Sequence, residues 1–144
     1  MDDANEIARL TTELGYVADA LVVTERLLQL TQHDDQAVFV AEENGEIAGW
    51  IQAHASLALE SGFRMEIVGL IVSDRFRRRG VGRLLVQAAE AWGRERGVPV
   101  FSVRSNVQRA ESHLFYPALG YEKTKTQAVY RKRAGADRRT GQRA

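Results

Sequence analysis

Residues 65–92 constrain the fold of this chain more than any other stretch. Met65 to Val72 is almost wholly apolar apart from Glu66, the composition of a strand buried on both faces at the centre of a sheet. A charge in that run is unexpected. From Val81 onward, Leu84, Leu85, Ala88, Ala89 and Trp92 form one apolar stripe at helical spacing. Arg94 and Arg96 occupy the last turn, and Gly97 with Pro99 stops the helix. A buried strand feeding an amphipathic helix through a short turn specifies an α/β (α+β) domain whose sheet is covered by helices.

The flanking sequence fills in the order ααβββαβαβ. Ile7, Leu10 and Leu14 recur at helical spacing before Gly15, and Ala20, Val23, Leu27 and Leu30 repeat the pattern behind Asp19, an expected N-cap. Ala37 to Ala41 and Ile47 to Leu59 read as strands joined by Asn44-Gly45, a pair that favours a primed hairpin turn. After a loop around Ser61 and Gly62 comes the central strand. Beyond the helix, Val98 to Val103 reads as a strand, Gln108 to Leu119 as a helix ended by Gly120, and Tyr121 to Arg131 as a final strand or hairpin broken near Lys125.

At 144 residues the chain has the size of one domain, expected over 1–132. Residues 133–144 are Gly, Ala and Arg rich without periodicity and are expected to be a disordered basic tail. The absence of cysteine excludes disulfides, thiolate metal ligands and a thiol nucleophile. No apolar run approaches the ~20 residues that span a bilayer, and Met1 precedes Asp2 and Asp3 rather than a basic leader, so a cytoplasmic location is expected and no membrane partner. His33, His54 and His113 lack metal-ligand spacing, and no metal site is expected. Glu42 and Glu43 adjoin the hairpin turn as solvated charge.

The chemistry concentrates between the central strand and the best helix, in Ser73-Asp74-Arg75-Phe76-Arg77-Arg78-Arg79-Gly80-Val81-Gly82-Arg83. Free amides and the dipole at a helix N-terminus favour an anion. Gly80 and Gly82 let backbone approach it, and the arginines attract it over distance. Arginines at that end oppose the helix dipole, an arrangement that makes sense with an anion present. Taken alone, Arg77-x-x-Gly80-x-Gly82 also reads as a solvated charged turn. A P-loop lacks its Gly-Lys-Ser/Thr ending here, and a dinucleotide fingerprint has Leu85 at its third glycine.

Two blocks together resemble the GNAT (Gcn5-related) N-acetyltransferases. Arg77, Gly80 and Gly82 match the family's Arg/Gln-x-x-Gly-x-Gly/Ala between an apolar strand and a helix. Asn106, Arg109, His113, Phe115, Tyr116, Gly120 and Tyr121 are similar to its Asn, then a helix ending in Phe-Tyr, then Gly-Phe/Tyr. The resemblance spans about Ile7 to Arg131. It implies a twisted, mixed but mostly antiparallel sheet flanked by helices on both faces and splayed between the strands at Met65–Val72 and Val98–Val103. It also implies acetyl-CoA as cosubstrate and no metal. Backbone amides from Arg78 through Arg79, Gly80, Val81 and Gly82 to Arg83 would hold the pyrophosphate. Leu70, Ile71 and Val72 would run beside the pantetheine, one N–H polarising the thioester carbonyl.

By the same resemblance Tyr116 is the proton donor to the departing thiolate, the alternative being a helix aromatic that caps the core. Asn106 contacts the pantetheine, or is a strand-end turn residue. Glu66, 14 residues before Gly80, stands where histone-type members carry a general base, or else faces water or pairs with a nearby arginine. His113 is read as packed or solvent-facing. Members of the family usually open with a short strand that nothing before Ile7 supplies: either the true start lies upstream of Met1, or the strand is absent, and then the strand around Val38 exposes an edge that invites a partner subunit, as in a homodimer, or instability.

The expected activity is transfer of acetyl from acetyl-CoA to a primary amine of a small molecule, of aminoglycoside or polyamine type. Leu14-Gly15-Tyr16 points weakly the same way. The alternatives are a protein N-acetyltransferase, a non-catalytic acyl-CoA-binding domain, and a nucleic-acid-binding module built on the arginine clusters. The last lacks any helix-turn-helix or RNA-binding signature.

Overall fold

A computed structural model of the chain describes residues 3–13, 19–104 and 110–135. Residues 1–105 and 106–144 form two compact units. In the first, helices α1 (Asp3–Glu13) and α2 (Ala20–Leu30) precede strands β1 (Gln36–Glu43), β2 (Glu46–Ala58) and β3 (Gly62–Val72); a 3-10 turn (Asp74–Phe76), helix α3 (Val81–Glu95) and strand β4 (Phe101–Val103) follow. Asp19 caps α2 as its sequence position requires, its carboxylate accepting from the Leu21 amide at 2.7 Å. Asn44 and Gly45 both take positive φ, 53° and 82°, and turn β1 into β2.

The sheet runs β1-β2-β3-β4, with the first two pairings antiparallel and β3–β4 parallel. Strand alternation separates its faces. Gly49 lies against Leu85 of α3, and a Cβ there would stand 2.7 Å from the Ile71 carbonyl oxygen. On the opposite face Leu10 of α1 packs with Ile47 and Ile71, and Trp50 leans on that cluster. Helices therefore cover both faces. Leu10, Ile51, Met65, Ile67 and Val86 are fully buried, and each contributes roughly 1.5–3 kcal/mol through removal from water.

Two expectations for strands change. The one expected over Val98–Val103 is a strand only at Phe101–Val103. The preceding residues complete the end of α3 instead: the Val98 amide bonds back to Gly93 O, the Gly97 amide to Arg94 O, and Pro99 has no amide to give. The final strand expected over Tyr121–Arg131 does not form. Residues 122–135 are all exposed, and Glu122, Lys123, Thr124, Lys125 and Thr126 leave that segment without an apolar face to bury.

In the second unit, α4 (Ala110–Ala118) carries Pro117 in its last turn. Tyr116 packs edge-on against Phe115 and Tyr121, with ring centroids 4.9 and 5.9 Å away. The Tyr121 amide bonds to the Tyr116 carbonyl at 3.0 Å, which locks the Phe-Tyr pair to the Gly120-Tyr121 corner. Among the described residues no helix is long and apolar enough to cross a membrane.

Candidate active site

β3 is the axis of the site, and a bulge in it sets the geometry. Gln52 pairs with Gly69 while Ala53 pairs with Ile67, so Val68 is the extra residue. The ladder to β4 covers Met65–Ile67 against Phe101–Val103 and stops there. Past the bulge, the Ser73 amide bonds to Ala48 O at 2.8 Å, toward β2. Alternation gives Ile71 the same direction and turns the N–H and C=O of Leu70 and Val72 the other way, where the described β4 has already ended. Among the described residues no strand pairs with these backbone groups.

Immediately after β3 the chain makes the turn that precedes α3. Ser73, fully buried, caps the 3-10 turn through its hydroxyl. Phe76 is buried beneath the guanidinium groups of Arg75 and Arg79, 5.5 and 5.6 Å from its ring. Arg78 takes φ 66° and Gly80 φ 80°, both in the left-handed region. For Arg78 that conformation costs about 1 kcal/mol or more. Gly80 is the N-cap of α3, and no side chain caps the helix. The first bond back along the helix is from the Leu84 amide to Gly80 O, so the amides of Val81, Gly82 and Arg83 precede the ladder and have no helical acceptor. A Cβ on Gly80 would meet nothing within 4 Å, so the space in front is open.

The arginines divide into two sets. Arg75 pairs with Glu46 at 2.6 Å, Arg77 with Asp74 at 3.1 Å and Arg79 with Glu43 at 3.0 Å. Glu43, expected to be solvated charge, and Glu46 thus tie the arginine loop to β1 and β2. Arg78 and Arg83 are exposed and have no ion pair among the described residues. They are the charges left for an anion.

Glu66 lies within β3 rather than at its end, between His54 of β2 and Ser102 of β4, one residue before the ladder to β4 stops. Its side chain is only 16% exposed, and its partner is Arg104, 3.4 Å away. Of the two sequence readings of Glu66, pairing with a nearby arginine is the one this geometry records. Asn106 and Arg109 fall outside the described residues, as does the His113 side chain. Among the described residues no group of three or more His, Asp or Glu could hold a metal ion.

The acetyltransferase (GNAT) family model matches residues 4–121. The chain belongs to the GNAT acetyltransferase family. It is accordingly an acetyl-CoA-dependent N-acyltransferase. Aminoglycoside N(6')-acetyltransferase type 1 of Stenotrophomonas maltophilia is 29% identical over 133 residues, 89% of this chain and 87% of that protein. Aminoalkylphosphonate N-acetyltransferase of Salmonella typhimurium is 30% identical over 116 residues, 80% of this chain and 73% of the relative. Among solved structures, AAC(6')-Iy in complex with the bisubstrate analogue CoA-S-monomethyl-acetylneamine superposes with a TM-score of 0.82 at 24% identity, covering 92% of this chain and 93% of that one. At that identity the superposition speaks for the fold, and it is the GNAT fold that the two sequence blocks imply.

Proposed function

We propose that this enzyme acetylates a primary amine of a small molecule by direct attack of the amine on the thioester, through a tetrahedral intermediate. The observation that carries this reading is the edge of β3 where, among the described residues, the backbone groups of Leu70 and Val72 have no strand partner, between the amide row of α3 and Glu66 on the same strand. Both named relatives act on small amines by their names, an aminoglycoside in one case and an aminoalkylphosphonate in the other.

The residues present fit the coenzyme. Val81, Gly82 and Arg83 offer uncommitted amides in front of an unobstructed Gly80, and Arg78 and Arg83 add charge for a diphosphate. When bound, acetyl-CoA supplies an activated acyl group. Leu70 and Val72 would hold the pantetheine amides by strand-like bonds, and one of these N–H groups would stabilise the oxyanion. Glu66 takes the proton that the ammonium must lose before attack. As the N–C bond forms and the C–S bond breaks, Tyr116 gives its phenolic proton to the departing thiolate, and the second proton, shed by the nitrogen as it becomes an amide, restores the phenol.

A panel of small primary amines assayed with acetyl-CoA for release of free thiol tests this. The expected outcome is release that depends on the amine and saturates with it. Tight coenzyme binding with no thiol release from any amine would replace this reading with a non-catalytic acyl-CoA-binding module.

A further inference from the structure

Besides Glu66, the sheet face opposite α3 carries a set of charged groups that acetyl transfer alone does not use. Arg64 stands two residues before Glu66 on β3, and strand alternation puts both on that face. Ser102 is the β4 neighbour of Glu66, and Arg104 follows two residues later with its guanidinium 3.4 Å from the carboxylate. His54, directly across from Glu66 on β2, contacts Asp35 at 3.7 Å.

The Nε of Arg64 is buried and has no hydrogen-bond partner, and no ion pair to Arg64 occurs among the described residues. A guanidinium half-withdrawn from water without a partner is a position waiting for an acceptor. Arg104 is the reverse case. Its side chain is 66% exposed, so its pairing with Glu66 is screened by solvent and easily opened. Arg104 thus pairs with, and Arg64 shares a sheet face with, the described carboxylate expected to meet the amine. The other described carboxylate near this row, Asp35, already faces His54.

We infer that the acceptor of this enzyme is zwitterionic: an amine carrying a carboxylate, phosphate or phosphonate a few atoms from its nitrogen, with Glu66 meeting the ammonium and Arg104, assisted by Arg64, meeting the anion. This deepens the small-amine reading above and rests on it. The ammonium takes the place of Arg104 beside Glu66, and the released guanidinium closes on the anionic group. One ion pair becomes two, and no charge is left alone. A polycation entering the same place would gather its charges and both guanidinium groups around the single available carboxylate among the described residues, which like-charge repulsion opposes.

The test compares matched amines with the full-length protein and acetyl-CoA: O-phosphoethanolamine against ethanolamine, 2-aminoethylphosphonate against propylamine, and kanamycin as the polycation. The anionic member of each pair is expected to show kcat/KM at least about tenfold above its neutral partner and above kanamycin. Arg104→Gln is expected to narrow that ratio to about twofold by raising KM for the anionic amine, and Arg104→Lys to keep most of it. Equal or better use of the neutral amines or kanamycin overturns the inference, as does an unchanged ratio in Arg104→Gln. Should no amine release thiol, the small-amine reading itself fails. Calorimetry on the protein saturated with coenzyme A then decides this inference separately: binding of O-phosphoethanolamine but not ethanolamine supports it, and equal or absent binding of the two overturns it.

Discussion

A carboxylate in the middle of a buried strand carries a desolvation penalty of several kcal/mol unless something compensates its charge, and Glu66 is compensated from one side by Arg104. Arg104 thereby holds the carboxylate near the end of the β3–β4 ladder, where the proposed function places the base. Glu66→Gln is expected to lower kcat by about 10²–10⁴ with coenzyme affinity unchanged, read by steady-state rates beside calorimetry. A loss confined to affinity would remove Glu66 from the chemistry. Tyr116→Phe should likewise cut kcat far more than coenzyme affinity, and an equal turnover rate in the variant would show that the phenol gives no proton. Gly82→Asp puts a carboxylate among the amides of the first turn of α3. Coenzyme affinity is expected to fall at least about 100-fold while the circular dichroism spectrum holds; unchanged affinity would contradict the anion site.

At the level of elements, most of the frame is legible because each signal is local. The Asn44-Gly45 turn, the Asp19 cap, the apolar stripe of α3 and the buried run of β3 each depend on a few neighbouring residues. What escapes is what the register decides. Arg64 and Glu66 share a face by simple alternation and could have been paired from sequence, but bringing Arg104 to Glu66 needs the parallel register of β4, which nothing in either segment encodes alone. The ion pairs from Arg75 and Arg79 to Glu46 and Glu43 are of the same kind. The shortened β4 had a readable cause in Gly97 and Pro99, since a helix that closes through Val98 leaves fewer residues for the strand. Two glycines separate crowding from conformation. Gly49→Ala drives a Cβ toward the Ile71 carbonyl and is expected to cost about 1–3 kcal/mol. Gly80→Ala meets open space and should cost only the left-handed backbone penalty, about 1–2 kcal/mol. Urea unfolding of both variants checks this, and a neutral Gly49→Ala would contradict the close strand contact.

For the molecule as a whole, the proposed site links folding to coenzyme binding, since the amide row of α3 exists only when the strand before it and the helix after it are both formed. A ligand that binds the folded state alone stabilises it by about 2.7 kcal/mol at one hundred times its Kd, so coenzyme A at that level is expected to raise Tm by roughly 5–10 °C. The small net charge of +1 gives that affinity no global electrostatic source; in the proposed site it comes from the local arrangement of the amides of Val81, Gly82 and Arg83 with the charges of Arg78 and Arg83. Titration of the isotopically labelled protein with coenzyme A, followed amide by amide in nitrogen–proton correlation spectra, tests this most directly. The backbone signals of Val81, Gly82 and Arg83 are expected to show the largest shifts, saturating at the calorimetric Kd. If calorimetry reports binding while these three amides stay where they were, the diphosphate lies elsewhere and the active-site assignment is wrong.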